Sequence, residues 1–116
     1  MGVRIITAEK VRNKGLEVVF NEALSIVRQA KKGFGISFDL DAIDPSEAPG
    51  VGSPANDGLS WLKIKQHLNI LLTDPMLKGL EITEFNPDRD YNDKTAEILF
   101  QIALELGKSL NLTNAL

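Results

Sequence analysis

The chain alternates short, dense apolar runs with longer stretches in which apolar residues recur every three or four positions. "VRIITA" (3–8) is β-branched and predicts a strand. In 15–32, Leu16, Val19, Phe20, Ala23, Leu24, Val27 and Ala30 fall on one helical stripe. Lys31 and Lys32 sit where cations favour a helix C-terminus, and Gly33 and Gly35 punctuate the chain after it. "FGISFDL" (34–40) is nearly continuous apolar, as expected for a strand buried on both faces. Residues 41–58 form a loop with three prolines and three glycines. Ser60 is the predicted N-cap of a helix over 61–72, with Trp61, Ile64, Leu68, Leu71 and Leu72 in its stripe and Pro75 just beyond. "LKGLEITEF" (77–85) predicts a third strand and "NPDRDYND" (86–93) a second polar loop. A last helix spans 93–110, with Ala96, Leu99, Phe100, Ala103, Leu104 and Leu106 assigned to its inner face.

The order βαβαβα predicts one α/β domain over residues 1–116, with a parallel sheet and right-handed crossovers. Ligands of such sheets gather beyond the C-terminal ends of the strands. Both unusual loops, 41–58 and 86–93, fall there.

Composition narrows the chemistry. A net charge of -3 argues against nucleic acid or an anionic membrane as partner. The absence of cysteine excludes thiolate catalysis, disulfides and cysteine zinc sites, and fits a cytoplasmic protein. No apolar run approaches the ~20 residues of a membrane span, and "MGVRIITAEK" lacks the apolar stretch of a signal peptide.

The candidate chemistry lies in "SFDLDAIDP". Asp39 and Asp41 are two apart at a strand mouth, so period-2 geometry directs both side chains to one side. Two ionised carboxylates about 5 Å apart repel by roughly 3 kcal/mol at an effective dielectric near 20. Protonation of one, pairing with Arg or Lys, or a divalent cation between them each relieves this. Nearby bases are sparse, Lys32 and Lys63 being the closest in sequence, which favours a hard cation. The competing reading is two solvated loop acids. Asp44, just before Pro45, reads as an Asx-turn brace. His67 borders the apolar stripe of its helix and reads as structural.

An Asp-x-Asp after an apolar strand also occurs in haloacid-dehalogenase-like phosphatases, but Ala42, Ile43 and Pro45 depart from that motif. "SFDLDAIDPSEAPGVGSP" resembles much more closely the second metal-binding motif of the ureohydrolases: arginase, agmatinase and formimidoylglutamase. "GLEITEFNP" resembles their following strand, with Glu-x-Asn-Pro at its mouth. The resemblance implies a three-layer α/β/α fold with a parallel sheet, of which this chain is a C-terminal βαβαβα portion. It implies that Asp39 and Asp41 bind a Mn²⁺ pair, which generates a nucleophile at neutral pH. It further implies that Glu84 accepts hydrogen bonds from a guanidino or formimidoyl substrate and that Ser53 lines the site.

The family's other ligand motifs, Gly-Gly-Asp-His and Asp-Ala-His-x-Asp, do not occur here. The expectation is therefore a polypeptide inactive alone, which associates with the missing N-terminal half or with itself, in a family that forms homo-oligomers. Arginase is the first-ranked activity, with formimidoylglutamase and agmatinase next. A non-catalytic half-domain serving assembly is the alternative of a different class.

Overall fold

The computed structural model describes residues 2–110. The elements are helix α1 (Ala8–Lys14), helix α2 (Leu16–Val27), strand β1 (Phe34–Asp39), helix α3 (Trp61–Leu72), strand β2 (Leu77–Thr83) and helix α4 (Lys94–Ser109). Strands β1 and β2 pair in parallel, from Phe34 opposite Leu77 to Asp39 opposite Thr83. With α3 between them they form one βαβ unit, so their C-terminal ends share an edge of the molecule.

The α/β class and the parallel pairing agree with the sequence pattern; several details differ. Residues 3–8 are not a strand. Val3 and Ile5 are 92% and 79% exposed, and among the described residues nothing pairs with this segment. β-Branched composition favours extended backbone, but a strand also needs a neighbouring ladder. The sheet of the described residues therefore has two strands rather than three. The chain's first regular element is instead helical: the Thr7 hydroxyl accepts from Lys10 N at 3.2 Å and caps α1. Gly15, at φ +88°, separates α1 from α2. With Val11 as its one half-buried large apolar residue, α1 leaves too little periodic signal to be read from sequence.

Strand β1 is not buried on both faces either. Phe34, Ile36 and Phe38 are half-buried, while Gly35, Ser37 and Asp39 alternate with them and are exposed. The helices contact one another in series, α1 with α2, α2 with α3 and α3 with α4, as one layer. Of the three layers the resemblance implies, the described residues supply two. Phe38 meets the Trp61 ring edge-on at 6.4 Å between centroids.

The inner face of α4 is set by Thr95, Ile98 and Ile102, with Leu99 and Leu106 at its flanks. Phe100 and Leu104 are 62% and 37% exposed, and Ala103 is also exposed, against the assignment from sequence. The stripe is rotated because the start of α4 is docked through Thr95, a polar residue that apolar periodicity does not register. His67 is structural as expected: its ring lies 6.4 Å from that of Phe20 at 83°.

The core runs directly under the C-terminal end of the sheet. Leu40, Ile43, Ala48 and Val51 are wholly buried and cluster with Trp61, Ile64, Leu68, Ile98 and Ile102. The 41–58 segment is thus anchored coil. Each large apolar side chain buried there contributes about 1.5–3 kcal/mol, which ties the loop to the body of the domain.

Candidate metal-binding rim

Asp39 ends β1, and Leu40–Ala42 turn immediately into a short 3-10 helix. The relation of Asp39 to Asp41 is therefore not strand alternation. The Asp39 carboxylate oxygen Oδ1 accepts the Asp41 N–H at 2.9 Å, capping the turn. Asp41 Oδ1 in turn accepts the Ser53 N–H at 2.9 Å, across twelve residues of loop. Asp39 is exposed and Asp41 half-buried. Neither forms an ion pair among the described residues.

Glu84 follows Thr83, the register partner of Asp39. Its backbone turns to φ +70°, a region a non-glycine residue enters rarely. Its carbonyl accepts the Gly52 N–H at 3.2 Å. Gly52 also passes under the Glu84 carboxylate: a β-carbon there would stand 2.4 Å from Glu84 Oε2. Glycine at 52 is thus a steric requirement for this position of the Glu84 side chain. Three of the sequence-predicted site residues, Asp41, Ser53 and Glu84, are brought together by the segment 50–53, and Asp39 joins them through the turn.

The two loops hold each other in place. Val51 pairs antiparallel with Phe85, and Asn86 N–H donates to Gly50 O at 2.8 Å. Gly50 N–H donates to the buried Thr95 hydroxyl at 2.8 Å. Asp90 accepts from Thr95 N and Ala96 N, both at 3.0 Å, and so caps α4. Burial pushes the Asp90 carboxyl up, but these amide donors outweigh it and hold the group below its ordinary range. Asp93, which occupies the nominal cap position, makes no side-chain cap bond. Ser60 likewise does not cap α3 through its side chain. Glu47 does so from across the loop, accepting from Trp61 N at 3.0 Å and Leu62 N at 3.3 Å. These capping acids lie four and fourteen residues from their helices, beyond the reach of local cap rules. Asp44 is the expected turn brace, accepting from Ser46 N at 2.8 Å and Ser46 Oγ at 2.7 Å; the Ser46 hydroxyl is the main cause of its lowered pKa.

The donor chemistry of Asp39 and Asp41 suits a hard cation. Each has one oxygen bonded to an amide, and Oδ2 of each takes no hydrogen bond among the described residues. The number of donors does not complete a shell: no group of three or more His, Cys, Asp or Glu gathers at one point among the described residues.

The model of the arginase family matches residues 1–107. The chain is 33% identical over 97 residues to an arginase of Bacillus caldovelox, covering 84% of this chain and 32% of that one. It is 30% identical over 111 residues to the formimidoylglutamase of Bacillus subtilis, covering 96% and 35%. It is 36% identical over 109 residues to an agmatinase of Neisseria meningitidis serogroup C, covering 88% and 32%. The chain thus spans about a third of the length of these curated relatives. The solved structure of the Bacillus caldovelox arginase superimposes with a TM-score of 0.84 at 31% identity, over 90% of this chain and 35% of the other. That of the Bacillus subtilis formimidoylglutamase gives 0.85 at 30% identity, over 95% and 35%. Both the aspartate turn and the Glu84 strand lie inside the matched span, and with a common fold and a match over nearly its whole length, this chain belongs to the arginase family.

Proposed function

We propose that this chain carries part of the catalytic rim of a binuclear manganese hydrolase of guanidino or formimidoyl C–N bonds, with arginase-type cleavage of L-arginine to ornithine and urea as the first reading. Asp39 and Asp41 would hold Mn²⁺ through their carboxylate oxygens. When bound, the ions supply Lewis acidity and lower the pKa of water. Asp41 is oriented for its part by the Ser53 amide, and Asp39 by the Asp41 amide. Glu84 accepts hydrogen bonds from the planar, cationic end of the substrate, for which a carboxylate is the apt partner. Ser53 would line the same rim. The observation that carries this reading is the assembly of Asp39, Asp41 and Glu84 at one rim, without a basic partner among the described residues.

Formimidoylglutamate and agmatine are the next substrates. The first is supported by the stretch "DRDYNDKTA" (88–96), which resembles a pattern frequent in formimidoylglutamases; within it Asp90 serves as the cap of α4. Two carboxylates alone leave a two-metal site short of ligands. The chain by itself is therefore inactive, and activity needs the remainder of the family fold or an oligomer that provides it. No helix among the described residues is long and apolar enough to cross a membrane.

Calorimetric titration with Mn²⁺ tests the reading. Binding by the 116-residue chain, lost in Asp39→Ala and in Asp41→Ala with the circular-dichroism spectrum retained, is the expected result. Binding that survives both substitutions, or no binding by the parent chain, overturns it. Urea released from arginine by the pure chain would contradict the predicted inactivity.

A further inference from the structure

The segment 50–53 joins Asp41 to Glu84, yet its two ends are held by different means. Gly50 is locked from beneath by the buried Thr95 hydroxyl and by Asn86 N–H, both at 2.8 Å. Val51 is wholly buried. Beyond it the chain surfaces: Gly52 is half-buried, and Ser53 and Pro54 are exposed. The backbone contact of Gly52 N–H with Glu84 O is long at 3.2 Å. The short contact at this end comes from Arg89, whose Nη1 donates to Gly52 O at 2.6 Å and lies 3.5 Å from Val51 O.

Arg89 is well placed to act as a strut. It ends the 3-10 turn Pro87–Arg89, whose start is braced by the Asn86 side chain accepting from Asp88 N at 3.1 Å. The next residue, Asp90, is fixed to the first turn of α4. Although Asp88 and Asp90 flank it, Arg89 makes no ion pair among the described residues. Its guanidinium is directed at main-chain carbonyls instead, and a charged donor makes a stronger hydrogen bond than a neutral one.

We infer that Arg89 is a positioning residue: by gripping Gly52 O it holds the Ser53 amide on Asp41 and so decides which carboxylate oxygen Asp41 turns towards a cation. The cation part rests on the reading of Asp41 given above; the grip on Ser53 does not.

Amide hydrogen exchange of the 116-residue chain, followed residue by residue by NMR, tests the grip. In Arg89→Ala the Ser53 amide should exchange about tenfold faster, the size of effect expected from losing a charge-assisted bond. The Thr95 and Ala96 amides should keep their protection. Arg89→Lys keeps the charge without the planar fork and should restore part of the protection. Arg28→Ala, at the opposite end of the sheet, should leave Ser53 unchanged. Mn²⁺ affinity should fall several-fold in Arg89→Ala and hold in Arg28→Ala. Unchanged Ser53 exchange in Arg89→Ala overturns the proposal, as does equal acceleration throughout the chain. Should Arg89→Ala fail to fold, Arg89→Lys decides by the same criterion on Ser53. Mn²⁺ binding that ignores Asp41→Ala sinks the metal reading alone, and Ser53 exchange still decides the role of Arg89.

Discussion

The two ends of the sheet treat their carboxylates differently. At the C-terminal rim, Asp39, Asp41 and Glu84 stand without a basic partner among the described residues. At the other end Asp74 is buried, accepts from Met76 N at 2.8 Å and is gripped by Arg28 Nε at 2.6 Å. The Met76 amide is the main cause of its lowered pKa, opposed by burial and aided by Arg28. That arrangement serves the turn into β2: Leu77 N–H donates to Asp74 O and Phe34 N–H to Met76 O. An acid kept for stability is neutralised on the spot. At the rim, amide donors orient Asp39 and Asp41 but no cationic side chain meets their charge, and the backbone of Glu84 takes up a rare conformation.

Substitutions can break or sharpen this contrast. Asp74→Ala strands the Met76 amide and leaves Arg28 unpaired, so it should give the largest fall in urea midpoint of this set. Asp39→Ala should change the midpoint little. Equal losses at both positions would erase the distinction between the two ends. Asp90→Ala removes the cap of α4 and should destabilise by about 1–2 kcal/mol in the same denaturation experiment.

Glu84→Gly relieves the positive φ and should stabilise by up to about 1 kcal/mol while removing the carboxylate proposed to meet the substrate; a loss of stability there would contradict strain at the rim. Gly52→Ala should cost less than the loss of the α4 cap but swing the Glu84 carboxylate away, which a crystal structure of the variant would reveal. The smallest effect is in pH. The folded-state pKa of Asp74 lies below its unfolded value, so its contribution is present above about pH 4 and fades as pH falls through the depressed value. Asp74→Asn should flatten the acid limb of the stability profile; an unaltered limb would count against this ion pair.

Helix α3 was legible because its apolar residues recur with a clean helical period, and strands β1 and β2 because each is a short, dense apolar run bounded by polar loops. Trp61, Ile64, Leu68 and Leu72 are buried as the stripe predicts. The N-terminal segment misled because its β-branched residues report a preference for extended backbone and carry no information about a partner. Phe100 and Leu104 misled because an apolar residue marks a possible inner face, and the docking of Thr95 selected a different one. The rim acids were legible as a cluster, since charge directly behind an apolar run needs compensation. Their mutual geometry was not, because it depends on a 3-10 turn and on amide donors from a loop twelve residues away.

The sequence by itself determined the alternation of strand and helix from residue 34 onward, the end of the sheet where charge collects, and the family to which those motifs point. The tertiary structure alone decided how Ser53 reaches Asp41, how Gly52 clears Glu84, and which distant acids cap α3 and α4. The reason is the range of the forces involved. Periodicity records each residue's preference for burial along its own element, whereas hydrogen-bond partners are chosen only when folding brings distant segments within about 3 Å of one another.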